Sequence, residues 1–123
     1  MRKNAFIAWA IGLLMLSAGC GSPIGRPRPT ATPMRPSNLS WEGSIGALLN
    51  DRCASCHGQV AGISYATYDS AMRGGMHGPV IMPKDPAHSK LIIRQAAGNH
   101  PGQLSAAELT RVTEWIKWGA PEK

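Results

Sequence analysis

Cys53-Ala54-Ser55-Cys56-His57 places two thiols and an imidazole within one short run. A Cys-x-x-Cys-His run has the spacing of a c-type haem attachment site. Each thiol can add across one vinyl group of the porphyrin, giving two thioether bonds. Two intervening residues let both sulfurs reach one face, and the adjacent histidine then falls beneath the iron as its proximal ligand. Three other chemistries share the pattern. A thioredoxin-like redox pair needs βαβ units around it, and no run of alternating strand residues is present. A zinc site needs further ligands at matching spacing, and would have to recruit scattered histidines such as His77 or His88. A disulfide between Cys53 and Cys56 would close a disfavoured short ring. Ligand count and context favour one covalently attached haem c.

Six side chains compete for the sixth position on the iron: Met72, Met76, Met82, His77, His88 and His100. Met72 falls inside a short helix and reads as core. Met76 and His77 sit in a loop rich in glycine (Gly74, Gly75, Gly78). His88 lies in the first turn of an expected helix. Met82 and His100 each precede a proline, which restricts the local backbone, and each lies between helices, where a ligand can reach across a haem face. On the residues alone both remain open.

The elements that must position this chemistry are helical. Residues 44–53 carry Ile45, Leu48 and Leu49 at helical spacing and deliver the cysteines at their C-terminal end. Residues 67–73 read as a short helix with Thr67 as N-cap and Gly74-Gly75 as its stop. Asp85-Pro86 opens a third helix reaching Ala97, with Leu91, Ile92 and Ala96 facing inward and Gly98-Asn99 beyond it. The last helix has a capping box, Ser105 with Glu108, and a staple of Leu104 against Leu109. Leu109, Val112, Trp115 and Ile116 form its apolar stripe, and Gly119 and Pro121 end it. The expected fold class is all-α, with three to five short helices wrapped around one covalent haem. A domain this small buries little apolar surface, and a haem would supply a large apolar centre.

The remaining cysteine, Cys20, closes an export signal. Arg2 and Lys3 precede an apolar run from Ala5 to Gly19, and Leu16-Ser17-Ala18-Gly19-Cys20 has the small residues of a lipobox. The run is too short for a spanning helix. We therefore expect a lipoprotein-type signal peptide over 1–20, lipidated at Cys20, then a Pro/Arg-rich linker over 21–40 and the haem domain over 41–123. The linker's five prolines make it an extended spacer. The formal charge of +6 comes mainly from signal and linker; from Trp41 onward 8 basic side chains meet 7 acidic ones. Nothing in that balance points to nucleic acid.

From 48 to 120 the chain resembles small bacterial single-haem cytochromes c, including the planctomycete-type domain. The resemblance is carried by Leu48-Leu49-Asn50-Asp51-Arg52 leading into the Cys53 motif, by Gly78-Pro79-Val80-Ile81-Met82-Pro83, and by Asp85-Pro86. It continues through Leu104-Ser105-Ala106-Ala107-Glu108-Leu109 to Trp115-Ile116-Lys117-Trp118-Gly119-Ala120-Pro121. In that family the distal methionine precedes a proline in the loop before the last helix. His100-Pro101-Gly102-Gln103 stands at that place, so the resemblance implies His100 as distal ligand, with Met82 as the alternative. It also implies that the Pro79 carbonyl accepts the ring N–H of His57.

The implied activity is one-electron transfer outside the cytoplasmic membrane, periplasmic or on its outer face, by a lipid-anchored protein that is not an enzyme. Its partners would be a redox donor and a redox acceptor, with no small-molecule substrate. The rivals are a haem subunit of a larger respiratory or photosynthetic complex, and an open-site peroxidase or gas sensor.

Overall fold

The computed structural model describes residues 33–58 and 62–123. The expected signal peptide, Cys20 and the linker up to residue 32 lie outside the described residues. Pro33–Lys123 forms one compact unit. It takes in the last part of the expected linker, because Leu39 and Ser40 are buried against the helices. No helix among the described residues is long and apolar enough to cross a membrane.

The structure is all-α among the described residues. A π-helical turn, Trp41–Ile45, runs straight into α1, Gly46–His57; α2 is Tyr68–Arg73, α3 is Lys90–Ala96 and α4 is Ala106–Lys117. The π turn starts on the Ser40 hydroxyl, which accepts from Gly43 N–H at 3.0 Å. Gly46 is required where the turn meets α1. A Cβ there would stand 2.7 Å from the Trp41 indole, so only glycine lets that ring lie over the helix start. Ile45, Leu49 and Cys53 then recur every fourth residue along one buried face.

Helix α1 continues past Cys53, its expected end, to His57. Nothing in Cys53-Ala54-Ser55-Cys56-His57 breaks a helix, and continuing it has a consequence for the site. Residues at i, i+3 and i+4 share a helix face, so Cys53, Cys56 and His57 stand side by side.

Helix α2 begins at the expected N-cap. Thr67 and Ser70 cap each other reciprocally, a pairing the sequence had not marked because serine replaces the usual Glu or Gln. Helix α3 is shorter than expected. Pro86 does not open it; the chain turns through 86–89 and the helix begins at Lys90. The reason is Ser89, fully buried, whose hydroxyl accepts from Met82 N–H and donates to the Asp85 carbonyl, both at 2.9 Å. The Leu91 N–H, orphaned at the helix start, donates to the Val80 carbonyl at 3.1 Å. Ala96 is exposed, and Gln95 is the buried residue on that turn instead.

Helix α4 matches expectation in start, stripe and end. Ser105 and Glu108 form the capping box, and Val112, Trp115 and Ile116 are fully buried. Around Trp115 the packing is aromatic: Trp41 lies tilted at 6.2 Å from it and meets the edge of Tyr68 at 6.0 Å. The polar tips are satisfied. Trp115 Nε1 donates to Pro121 and the Tyr68 hydroxyl to Ala120, each at 2.9 Å.

Candidate functional site

At the other end of α1 the core opens into a cavity of about 450 Å³. Its wall includes Cys53, Cys56 and His57 from α1, with Ile63 and Tyr65 from the segment that follows. The loop between α2 and α3 contributes Gly75 to Gly78 and Val80. Leu91, Arg94 and Gln95 come from α3, and His100 and Pro101 from the loop before α4. This volume lies in the range of small-molecule and cofactor sites.

The cysteines are free thiols, Cys53 buried and Cys56 exposed. Burial, and secondarily the neighbouring Cys56, pushes the Cys53 thiol up to about 11. At neutral pH it is protonated and uncharged, which keeps it from casual oxidation. The His57 imidazole titrates below its ordinary value, first because it is desolvated and then because His100 is close. It is therefore neutral at neutral pH, with a lone pair available to a metal. The Tyr65 ring stands edge-on to it at 5.7 Å.

His57 and His100 lie with their rings 5.7 Å apart and only 7° from parallel. The two imidazoles are stacked, and both line the cavity beside Cys53 and Cys56. The loop that presents His100 is held firmly. Gly102, at φ 71°, lies so near α1 that a Cβ would come 2.6 Å from the Arg52 carbonyl. Arg52 in turn pairs with Glu108 at 2.9 Å. The Gln103 side chain bonds to the Gln95 carbonyl, and Gln95 Oε1 accepts from Leu104 N–H at 2.7 Å.

Other expected ligands are placed differently. Met82 does not line the cavity: Val80 and Ile81 turn inward, while Met82 is 40% exposed on the loop that Ser89 ties down. His88 is exposed and pairs with Asp85 at 2.7 Å. Met72 packs against the core. Met76 and His77 line the rim of the cavity but are exposed, Met76 by 82%. The bond from His57 to the Pro79 carbonyl is not made. His57 Nδ1 is buried with no partner among the described residues, and Pro79 is exposed. Paired backbone bonds between Gly75 and Gly78 close the turn before Pro79 and set its direction. Sequence reasoning missed Tyr65, Ile63 and Gln95 as wall residues. Tyr65 stands in a loop with no periodic pattern to mark it, and Gln95 was hidden by its polarity on a face read as apolar.

A haem fits these residues. Two free thiols and a neutral imidazole share one helix face, a second imidazole lies parallel to the first, and the wall between is mostly apolar. His57 Nδ1 is buried without a partner among the described residues, so no hydrogen bond there fixes its tautomer. Zinc fits less well, since no three His, Cys, Asp or Glu groups gather as a metal cluster among the described residues.

Residues 53–104 match the family described as planctomycete cytochrome C. Over that stretch the chain is similar to a cytochrome c domain. The match begins at the first haem-motif cysteine and ends at Leu104, so it covers both histidines of the parallel pair and the loops between them. No curated protein and no solved structure gives a significant match to the chain. Cytochromes c bind haem and exchange electrons with redox partners.

Proposed function

We propose that the chain is a membrane-tethered monohaem cytochrome c that carries single electrons between redox proteins outside the cytoplasmic membrane. Cys53 and Cys56 would hold the haem by thioether bonds, with His57 as proximal and His100 as distal ligand. Bound haem supplies the one-electron chemistry of its iron. The chain's residues bind, close and tune the site. Ile63, Tyr65, Val80 and Leu91 would keep water away, and while both imidazoles are bound the site would pass only an electron.

The observation that carries this reading is the close approach of His57 and His100, with stacked rings, in the cavity that Cys53 and Cys56 also line. Its test is the visible and near-infrared spectrum of the ferric protein, with potentiometry on the protein and on His100→Met. A low-spin spectrum without a methionine-to-iron charge-transfer band supports the pair. A methionine ligand raises the potential, so the variant should titrate higher. A methionine band in the parent, or no rise in the variant, sinks the pairing.

The tether rests on the lipobox-like residues ending at Cys20 and the proline-rich stretch behind it. Partition of the protein into detergent, lost in Cys20→Ala, tests it. Partition unchanged by that substitution counts against lipidation. Mild-detergent purification separates a free carrier from a subunit of a larger complex.

A further inference from the structure

Gln95 is buried, at 3% exposure, and its amide has a fixed orientation. A backbone N–H can only donate, so the Leu104 N–H, 2.7 Å away, must face the Gln95 oxygen. That leaves the Gln95 nitrogen, a donor, turned toward Nδ1 of His100 at 3.4 Å. A neutral imidazole carries one proton. With a donor facing Nδ1, the favoured tautomer has Nδ1 as acceptor and the proton on Nε2. Yet Nε2 is the nitrogen left to meet a metal, and a metal needs its lone pair. Ligation through Nε2 requires the proton on Nδ1, which would set N–H against N–H. Flipping the amide transfers the conflict to the Leu104 N–H, which is equally buried. Either way one buried donor loses its partner.

The contrast with His57 sharpens the point. Its Nδ1 faces no donor, so no hydrogen bond in the structure opposes its ligation. The two imidazoles are parallel but differently supported.

We propose that Gln95 is a positioning residue that makes His100 a weak, displaceable sixth ligand, opening the haem's distal face to a small neutral diatomic molecule. This rests on the His57/His100 pairing above. Displacement exchanges one ligand for another at constant oxidation state. His100 leaves, its proton returns to Nε2, and no net proton or electron is taken up. The freed Nε2–H then faces the cavity as a hydrogen-bond donor to the guest.

The test uses the full haem-loaded protein, with carbon monoxide added to the reduced form without denaturant. The parent should bind it, at a rate that levels off where His100 release becomes limiting. Gln95→Glu keeps an acceptor for Leu104 and offers a second acceptor to Nδ1. It removes the conflict and should bind carbon monoxide at least about tenfold more weakly. Equal or tighter binding in Gln95→Glu overturns the proposal, as does a parent that takes up no carbon monoxide.

Should that variant fail to fold, Gln95→Met removes the opposing donor without a charge. Slower displacement of His100 supports the proposal. Unchanged or faster displacement overturns it, because a residue that merely braced the loop would give that result. The ferric spectrum of His100→Ala separates the two layers. If it equals the parent's, the pairing itself fails and the proposal with it. If it changes while Gln95→Glu binds like the parent, the pairing stands and only the role of Gln95 falls.

Discussion

Two loops frame the same cavity, and they are built differently. The loop between α2 and α3 carries Met76 and His77 on a turn closed by the Gly75–Gly78 pair and touched by Lys90 at the His77 carbonyl, and both side chains are exposed. The loop between α3 and α4 carries His100 and is fastened through Gln95, Gln103, Leu104 and the contact of Gly102 with α1. A ligand must be held in one place against thermal motion, and each fastening reduces the freedom that binding would otherwise have to remove. Residue type alone does not separate the loops, since each offers a possible iron ligand. Anchoring does.

The largest break in that comparison is His100→Ala set beside Met76→Ala. The first should convert the ferric spectrum from low-spin toward high-spin, and the second should leave it unchanged. Equal responses would mean that anchoring does not choose the ligand. Next comes Trp115→Ala, which strikes the core beneath α4 rather than either loop. It should lower stability by about 3–5 kcal/mol in chemical denaturation, with haem attachment retained in the fraction that folds. Smaller is Gly102→Ala. It forces a Cβ toward the Arg52 carbonyl at a positive φ and should cost about 1–3 kcal/mol. It should also disturb the His100 signal, whereas Gly78→Ala, at φ 83° but with open space around it, should lower stability and leave that signal alone.

Ser105→Ala should cost about 1 kcal/mol through the lost N-cap. A related pH effect follows from Glu108, held down to about 2 by the Ser105 backbone N–H, then by Arg52 and the Ser105 hydroxyl. A depressed carboxylate contributes stability above its unfolded value, 4.5, and loses it as pH falls toward 2. Thermal melts from pH 5 down to 2 should therefore fall less steeply in Glu108→Gln than in the parent.

Much of the fold was legible because local signals agreed. Ser105 with Glu108, and Leu109, Val112, Trp115 and Ile116, marked α4 in its start and its buried face. Cys53, Cys56 and His57 were legible by spacing, while a place before proline marked His100 and Met82 alike. What was hidden depended on long-range partners. No periodicity announces that the Ser89 hydroxyl tethers the Met82 loop and delays α3. None shows that Gln95 is buried to hold the Leu104 backbone, or that Pro79 ends up exposed. The end of α1 was misplaced because the motif reads as a terminus, although each of its residues tolerates a helix.

The strand of chain entering the domain lies against the chain leaving it. Arg35 donates to the Lys123 carbonyl at 2.8 Å, while Trp41 and Glu42 donate to Pro121 and Glu122 at 3.0 and 2.9 Å. Entry and exit share one address, so the order in which the helices are read along the chain is separable from how they pack. A circular permutant that joins Lys123 to Pro33 through a short flexible bridge, and opens at the exposed Gly98-Asn99 turn, should assemble the same core. It would release the segment bearing His100 at one end while leaving the Cys53 motif in place.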